Sequence, residues 1–334
     1  MTILLDTAAV CIVGATLVAL KTVLVPISFA VMLAAVLRPP SVWLENRGLP
    51  RLIAMGLVSI GAAMLVVFGT SIMLTSAEGF LTALPSYTEQ LNTRFEILVH
   101  WLAHNNIHIE GLRRDTFAPD TLLSTAGTLL SSIASLASNA LMIVLLGMFM
   151  LYEADGLAHK AVKAFGDGPT SDRLRTAGQS LQSYVGLKTL TSGLTGVMVA
   201  AGLGMIGLPH AILWGFVAFL LNYIPNVGSI IAAIPPILLA LVVGGVGEAA
   251  LVTGLYLMAN LLIGSILEPR LMGDSLGLSP LVVLLALLLW GWMWGAAGML
   301  LSVPLTVLLC EFMAINPTTQ WIADLLGPNP RPDT

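Results

Sequence analysis

The residues most able to do chemistry in this chain are uncharged polar side chains that lie inside long apolar stretches. Amide and hydroxyl groups donate and accept hydrogen bonds without carrying charge, so they suit a small hydroxylated solute better than an ion. Prolines and glycines beside them add irregular backbone, which a membrane tolerates only where protein or a water-filled cavity satisfies it. The candidate hydrogen-bonding residues are Asn222, Tyr223, Asn226, Ser229, Asn260, Ser265 and Ser302.

Two apolar blocks in the C-terminal half hold most of these residues. Ala211–Val243 and Ser279–Glu311 are both longer than the about 20 residues that one membrane span needs. Proline and glycine interrupt each block, so we predict that each forms a re-entrant helical hairpin; a pair of short spans or one kinked, tilted helix is the alternative. Pro225, Pro235, Pro269 and Pro304 are expected to set the breaks, and Gly228 and Gly298 are expected to allow close approach of the backbone.

A full apolar span precedes each block, with Thr189–Leu208 before the first and Ala249–Leu267 before the second. The unit of one span and one broken block therefore occurs twice. If the first hairpin returns to the side from which it entered, the span Ala249–Leu267 then crosses the membrane once. The second hairpin therefore enters from the opposite side. Inverted repeats of this kind place the substrate site of many transporters near the bilayer midplane.

Charged residues are rare in this half of the chain, and an ionisable group at membrane depth is a functional candidate. Glu268, Pro269 and Arg270 follow the span Ala249–Leu267 and form either a charged gate or an interfacial ion-pair cluster. Lys188 opens the span before the first block, and we interpret it as an anchor whose long side chain reaches the membrane surface. No acidic residue is clearly placed inside a span, which favours a neutral solute over a cation.

Enzymatic and metal-dependent chemistry is not predicted. The sequence has no Walker A loop, no HExxH motif and no Ser/His/Asp arrangement, so we predict a protein that is not an enzyme, uses no cofactor and encodes no ATP drive. Glu96, His100, His104 and His108 are four residues apart, a spacing that suits a metal site on a helix. Because the Asn-Asn pair before His108 would end that helix, we favour the polar face of an amphipathic helix and predict no metal.

Composition sets the fold class. Apolar residues make up 57% of the chain and charged residues 10%, with a mean hydropathy of +0.93, whereas soluble domains have about 25% charged residues. The chain is therefore predicted to be an all-α integral membrane protein. The net charge of -4 and the absence of any Lys/Arg cluster exclude a nucleic-acid partner. Besides the two broken hairpins we predict about six full spans: Ile3–Leu20, Thr22–Leu37, Leu52–Leu74, a fourth that ends at Tyr152, Thr189–Leu208 and Ala249–Leu267.

Basic residues concentrate in two connections, Arg38–Arg51 and Glu153–Lys188, which the positive-inside rule places in the cytoplasm. Both chain termini are then cytoplasmic. Residues 75–138, with a break expected at Pro85, lie on the opposite side as an amphipathic helical insert. The predicted regions are an N-terminal scaffold of three spans (1–74), the extracytoplasmic insert (75–138), the fourth span with its cytoplasmic connection (139–188), a C-terminal transport repeat (189–312) and a cytoplasmic tail (313–334).

The stretches Leu221–Leu241 and Ile266–Leu309, which contain the motifs IPNVG and EPRLMG in that order, resemble the autoinducer-2 exporter (AI-2E) family. The RGLPR turn at Arg47–Arg51 fits the same pattern, and the resemblance covers most of the chain. It implies a multi-pass protein of the bacterial inner membrane and a homo-oligomer, with a pentamer as the expected form. Some members are associated with export of the quorum-sensing signal autoinducer-2, and others resemble Na⁺(Li⁺)/H⁺ antiporters.

This sequence departs from the family pattern at one place. Many relatives carry a Gln and a Glu in the span before the motif proline, where this chain has Asn260 and Ile263, with an acid instead at Glu268. A proton-coupling role of the missing acid therefore does not transfer. We expect a secondary transporter that exports a small polar metabolite, such as autoinducer-2, by alternating access. The alternatives are a Na⁺(Li⁺)/H⁺ antiporter and a non-transporting oligomeric scaffold or pore.

Overall fold

The computed structural model describes residues 12–104, 127–128, 130–131, 139–165, 169–225, 227–272, 278–315 and 318–326. Within these ranges the chain forms helices and turns, and none of these residues is in a β-strand. A short helical stretch, residues 12–19, precedes α1, and a π-helix, Asn260–Leu267, joins α7 to α8. The helices are α1 (Lys21–Glu45), α2 (Arg51–His104), α3 (Ala140–Phe165), α4 (Pro169–Ile206), α5 (Ala211–Leu221), α6 (Gly228–Val243), α7 (Val246–Ala259), α8 (Glu268–Met272), α9 (Pro280–Trp294), α10 (Ala296–Ile315) and α11 (Gln320–Leu326).

Five helical segments of the described chain are long and apolar enough to cross a membrane. Together with the all-helical structure of the described residues, they confirm the predicted class of all-α membrane protein. A helix rises 1.5 Å per residue, so about 20 residues cross the hydrocarbon core. The candidate spans are Lys21–Glu45, Arg51–Gln90, Arg175–Ile206, Val246–Leu271 and Ala296–Ile315.

Four of these segments correspond to spans that the sequence predicts, namely the second, third, fifth and sixth. The first predicted span, Ile3–Leu20, lies partly outside the described residues. The fourth corresponds to α3, whose apolar part, Ala140–Ala154, is shorter than a full span. The remaining candidate span, Ala296–Ile315, lies in the second broken block, so the two helices of that block differ in length.

Helix α2 runs without interruption through Pro85, where the sequence predicts a break. Proline removes one backbone N–H group and normally kinks or ends a helix. Side-chain hydroxyls bond the carbonyl oxygens around this position. Ser86 Oγ donates to Ala83 O at 2.8 Å, and Thr88 Oγ1 donates to Leu84 O at 2.9 Å. The carbonyl oxygen that loses its N–H partner at Pro85 is that of Leu81, so these bonds do not replace the missing one. The helix continues through Pro85 all the same, and the predicted break is wrong.

The chain folds as two compact units, and neither is a single stretch of sequence. The first unit comprises Met1–Val67, Asn139–Leu190 and Arg270–Thr334, and the second comprises Phe68–Ser138 and Thr191–Pro269. Two of the boundaries fall inside helices α2 and α4. The residues of the predicted C-terminal repeat are therefore shared between the two units.

In the first unit α1 packs against α3, and α10 packs against both α9 and α11. Leu37, Met55 and Leu151 form a buried cluster contributed by α1, α2 and α3. Gly147 allows α3 to approach α1, because a Cβ at this position would lie 3.1 Å from Leu33 Cδ2. Close packing of this kind replaces the hydrophobic effect as the force that holds helices together in lipid.

In the second unit α4 and α5 cross at a pair of glycines. A Cβ on Gly196 would lie 2.8 Å from the carbonyl oxygen of Gly215, and a Cβ on Gly215 would lie 2.5 Å from Ala200 Cβ. Gly202 has the same effect further along α4, where a Cβ would lie 2.5 Å from Leu255 of α7. Small residues at helix crossings let the backbones approach closely. The start of the first hairpin is thereby packed directly on α4.

Aromatic contacts join α2 to the start of α5 in the second unit. Phe80 and Trp214 are fully buried, with ring centroids 5.0 Å apart and nearly perpendicular planes. The ring of His210, which precedes α5, meets Phe80 edge-on at 6.0 Å. His210 has a φ of 60°, in the left-handed region that few residues other than glycine adopt. Burial lowers the pKa of His210, so the packed imidazole is favoured in its neutral form.

We expect the second unit to lose stability in acid because of His210. A group whose pKa is lower in the folded than in the unfolded chain stabilises the fold above its unfolded pKa, and this contribution is lost as the pH falls through the folded pKa. His210→Asn tolerates the left-handed backbone and removes the titration. Between about pH 7 and about pH 5, the melting temperature in detergent should fall more for the parent than for the variant. Equal falls would contradict the assignment.

Candidate functional site

One face of α4 is polar and buried, although most of α4 is a candidate membrane span. Residues three, four or seven positions apart share a face of an α-helix. A polar side chain inside a transmembrane segment is costly in lipid, so it faces the protein interior and often marks the path of a solute or ion. Over about three turns the buried polar side chains on this face, none of them more than 6% exposed, are Tyr184, Lys188, Thr191, Ser192 and Thr195.

Lys188 is only 3% exposed, so the prediction that its side chain reaches the membrane surface is wrong. A lysine at the start of an apolar stretch can extend along the helix only where lipid or water surrounds it, and here the chain itself covers the residue. Ser192 lies one turn further along the same face, and such positions are about 5–6 Å apart between Cβ atoms. Lys188 is therefore a buried basic residue one turn before the first hydroxyl groups of this face.

The polar groups of the second unit meet at the end of α5. Asn222 follows the last residue of α5 and is buried, with its backbone N–H bonded to Ala218 O. Its side-chain Nδ2 donates to Ser192 Oγ at 3.1 Å, which joins the first hairpin to α4. Thr191 and Thr195 lie on the same face, where Thr195 Oγ1 donates to Thr191 O at 3.0 Å. We call Thr191, Ser192, Thr195 and Asn222 the amide–hydroxyl cluster.

The amide–hydroxyl cluster offers both donors and acceptors, and none of its members is charged. An amide side chain has two donor hydrogens and one acceptor oxygen, and a hydroxyl donates once and accepts twice. Exchanging one neutral hydrogen bond for another costs little free energy. The cluster can therefore exchange its internal bond between Asn222 and Ser192 for bonds to the hydroxyl or carbonyl groups of a solute.

The turn between α5 and α6 requires glycine at position 228. A Cβ on Gly228 would lie 1.7 Å from the carbonyl oxygen of Leu221, far inside van der Waals contact. Backbone bonds close the turn, with Ile224 N–H donating to Leu221 O at 2.9 Å and Gly228 N–H donating to Ile224 O at 3.2 Å. The break and the close approach of the backbone that the sequence predicts at Gly228 are confirmed. The predicted role of this turn in transport stays a prediction.

The other candidates near this turn differ in their burial. Tyr223 is half-buried, and its ring meets Phe219 edge-on with centroids 5.8 Å apart. Pro225 and Ser229 are half-buried as well, and Pro235 is buried within α6. Because α6 continues through Pro235 and α10 continues through Pro304, the breaks predicted at these two prolines are wrong. Asn226 lies outside the described residues. Asn222 is thus the candidate that the structure joins to a polar partner on another helix.

The second hairpin repeats the close approach of the first. It turns at Gly295, which has a φ of 66°. A Cβ on Gly298 would lie 1.9 Å from the carbonyl oxygen of Trp290. Trp290 Nε1 donates to Thr306 Oγ1 at 3.1 Å, so a buried hydrogen bond also joins α9 to α10. Gly298 therefore allows the backbone contact that the sequence predicts.

Ser302 and Pro304 are buried within α10, in the first unit. Ser302 Oγ donates to Met299 O at 2.8 Å, and the carbonyl oxygen of Ser302 accepts from Thr306 Oγ1 at 2.7 Å. Hydroxyls bonded to their own helix in this way are satisfied locally. The structure thus gives Ser302 contacts within its own helix, and its predicted role in solute binding stays a prediction.

Sequence reasoning missed the π-helix Asn260–Leu267. In a π-helix each N–H bonds five residues back, and such segments occur frequently at functional sites. The predicted site residue Asn260 begins this segment with an exposed side chain, and a Cβ on Gly264 would lie 3.0 Å from Asn260 Oδ1. Ser265 Oγ lies 3.5 Å from Asn260 O. Nothing in the run NLLIGSIL distinguishes it from an ordinary apolar helix.

The charged residues after the π-helix stay candidates for a gate or for an interfacial ion-pair cluster. Glu268 is half-buried, and its backbone N–H bonds Ile263 O. Pro269 and Arg270 are exposed. Glu268 and Pro269 belong to the end of the second unit, whereas Arg270 begins the last segment of the first.

Sequence reasoning selected Asn222 but missed its partner Ser192 and the two threonines of the cluster. The signal was available, because the run KTLTSGLT places polar residues on one face inside a membrane span. Among the side chains that the structure describes, no group of three His, Cys, Asp or Glu could hold a metal ion. The side chains of Glu96, His100 and His104, and all of His108, lie outside that part of the chain.

Comparison with known proteins gives matches along nearly the whole chain. A model described as AI-2E family transporter matches residues 6–316. The chain is 34% identical over 330 residues to "Putative transport protein YhhT" of Escherichia coli (strain K12), covering 98% of this chain and 95% of that protein. It is 36% identical over 333 residues to a "Putative transport protein" of Haemophilus influenzae, covering 97% and 95%. It is 34% identical over 309 residues to "AI-2 transport protein TqsA" of Escherichia coli (strain K12), covering 91% and 89%.

We expect Gly228→Ala to destabilise the second unit, because the added methyl group overlaps a backbone oxygen that cannot move without opening the turn. Overpacking of this kind costs about 1–3 kcal/mol or more. The matched control is Gly254→Ala in α7, where nothing lies within 4 Å of the added Cβ. Melting temperatures in detergent should fall for the first variant and stay equal or rise for the second. A Gly228→Ala protein as stable as the control would contradict the geometry of the turn.

Proposed function

The chain belongs to the AI-2E transporter family, and on that premise we propose that it exports a small, uncharged polar solute across the bacterial inner membrane. The observation that carries the proposal is the hydrogen bond between Asn222 and Ser192 inside the amide–hydroxyl cluster. A buried amide and three hydroxyls on a membrane-spanning helix are expensive in lipid unless they serve a solute or a specific fold. Their chemistry matches a solute that carries hydroxyl or carbonyl groups.

The charge around the cluster supports a neutral solute over a cation. Lys188 is buried and lies one turn before Ser192 in the sequence of α4. A positive charge repels Na⁺ and Li⁺ at a few ångströms, and the repulsion is stronger in the low dielectric of a membrane protein than in water. An antiporter of these ions would be expected to present a carboxylate there, whereas α4 presents hydroxyls and an ammonium.

Autoinducer-2 is the first solute to test, because the 34% identical relative TqsA is named as an AI-2 transport protein. In this proposal the amide–hydroxyl cluster binds the solute, and access to the cluster alternates between the two sides of the membrane. Both chain termini are cytoplasmic, and the protein works as a homo-oligomer. The family supports transport, and the choice of solute rests on the cluster and on this relative. Export is the direction that the resemblance to the autoinducer-2 exporter family implies.

The proposal is tested with purified protein in proteoliposomes. Uptake of labelled autoinducer-2 is measured with and without an imposed proton gradient, and sodium–proton exchange is measured on the same preparation. Saturable flux of the signal without sodium–proton exchange supports the proposal. Sodium-driven proton movement without flux of the signal would replace it with an antiporter. Linear, non-saturable flux would indicate a pore, and absence of any flux would indicate a scaffold.

We expect Asn222→Leu and Ser192→Ala to weaken solute binding. Each removes one partner of a neutral hydrogen bond worth about 0.5–1.5 kcal/mol, so KM for the transported solute should rise about 3–10-fold. The two changes should not be additive, because both act on one bond. The control is Ser71→Ala, which removes an exposed hydroxyl bonded to Phe68 O on α2. Equal effects of Ser71→Ala and Ser192→Ala on KM would contradict the assignment.

We expect Lys188→Met to weaken the exclusion of cations. The change replaces a buried ammonium with an uncharged side chain of similar length, while Lys188→Arg keeps the charge as a matched control. Sodium permeability of the proteoliposomes should rise at least several-fold for the methionine variant and stay at the parental level for the arginine variant. Unchanged permeability in a folded methionine variant would show that the charge has a structural role alone.

A further inference from the structure

The connection between α1 and α2, residues 46–50, is short and closed by backbone hydrogen bonds. Gly48 N–H donates to Glu45 O at 3.0 Å, and Leu49 N–H donates to Leu44 O at 3.3 Å. With Gly48 at a φ of 93°, these two bonds form the Schellman motif that ends many helices. Because both neighbouring helices are candidate membrane spans, this turn lies at the surface of the bilayer.

Within this turn the guanidinium group of Arg47 lies on the face of the Trp43 indole. Arg47 Cζ is 3.8 Å from the ring centroid, and both side chains are exposed. This contact restrains the guanidinium on the indole, and the N–H groups of an arginine can bond two oxygens of one phosphate. Tryptophan is enriched at membrane–water interfaces, where its ring sits at the level of the lipid headgroups.

The charges around the turn favour an anion. Glu45 is the one acidic residue of the sequence between Arg38 and Arg51, and Arg38 lies 3.6 Å from it. Arg47 and Arg51 therefore give this surface a net positive charge. The next residue, Leu52, is 66% exposed and lies where a membrane would place acyl chains. A basic surface next to an apolar surface suits an anionic phospholipid, whose headgroup and acyl chains can contact both. A free phosphate ion makes no apolar contact.

We propose that Arg47, stacked on Trp43, binds the phosphate of an anionic phospholipid headgroup at the bilayer surface. The indole restrains the guanidinium, and the Schellman turn fixes both residues on the end of α1. The exposed apolar residues of α2 contact the acyl chains of the same lipid. This site is independent of the transported solute and of the amide–hydroxyl cluster, so it stands or falls separately from the proposed function.

The test uses the full-length protein in detergent micelles that contain phosphatidylglycerol or phosphatidylcholine, and native mass spectrometry measures how many lipids each protein retains. A basic residue near a charged lipid surface contributes about 1 kcal/mol, which corresponds to about a fivefold change in affinity. Arg47→Gln should therefore weaken binding of phosphatidylglycerol about fivefold and leave binding of phosphatidylcholine unchanged. Trp43→Leu should weaken it in the same direction, because the guanidinium is no longer restrained by the indole.

Two further variants separate a specific site from general surface charge. Arg175→Gln removes an exposed arginine of α4 and should leave phosphatidylglycerol binding at the parental level. Arg47→Lys keeps the charge but loses the planar fork, so binding should fall between those of the parent and of Arg47→Gln. Equal losses for Arg47→Gln and Arg175→Gln would overturn the proposal, and so would parental binding in Trp43→Leu. Circular dichroism checks that each exposed-surface variant keeps its helix content.

Inorganic phosphate distinguishes a lipid site from a site for a soluble anion. In micelles with phosphatidylcholine alone, phosphate at millimolar concentration should give no binding that depends on Arg47. If phosphate binds with the affinity of phosphatidylglycerol and is lost in Arg47→Gln, the site takes a soluble phosphate and the lipid assignment is wrong. If only phosphatidylglycerol binding depends on Arg47 and Trp43, the proposal is supported.

Discussion

The pairing of backbone groups in hydrocarbon is the constraint on which this structure depends. A turn at membrane depth must satisfy its own N–H and C=O groups, because lipid offers no partners. The turns between α5 and α6 and between α9 and α10 are very tight, and a carbonyl oxygen lies where any residue but glycine would have its Cβ. Gly228 and Gly298 thus keep the turns closed, and the crossing at Gly196 and Gly215 packs the first hairpin on α4. The position of Asn222 beside Ser192 is a consequence of that packing.

The sequence predicts the helices and the two turns near Gly228 and Gly298, because span length and glycine-rich interruptions are local properties. It does not predict which prolines break a helix, since Pro235 and Pro304 lie inside continuous helices. Pro85 shows the limit of this reasoning. Helix α2 continues through this proline, although proline usually kinks or ends a helix, and nothing in the local sequence distinguishes Pro85 from the prolines at the breaks. The π-helix after α7 has no local signal that apolar periodicity could detect.

The candidate site is predicted only in part, because burial depends on which helices pack together. Asn222 stands out in the sequence as a polar residue beside a proline break, and the structure gives it a buried partner. The threonines of α4 and Lys188 are equally visible in the sequence, yet their face is identified only when the rest of the chain covers it. Lys188 was predicted wrongly for the same reason, since a lysine at the start of a span reaches water only if nothing packs over it.

The π-helix also changes the phase of the helix that contains it. An α-helix turns about 100° per residue, and a wide turn takes up extra residues without ending the helix. Side chains beyond Leu267 are therefore rotated about the axis relative to a continuous α-helix drawn from Val246. A helical wheel with a period of 3.6 residues, drawn from Val246, therefore places Glu268 on a different face of the helix from the one that it occupies. Because the wide turn absorbs about one extra residue, deleting one residue between Asn260 and Leu267 would restore a regular α-helix and leave Glu268 facing the side that it faces now.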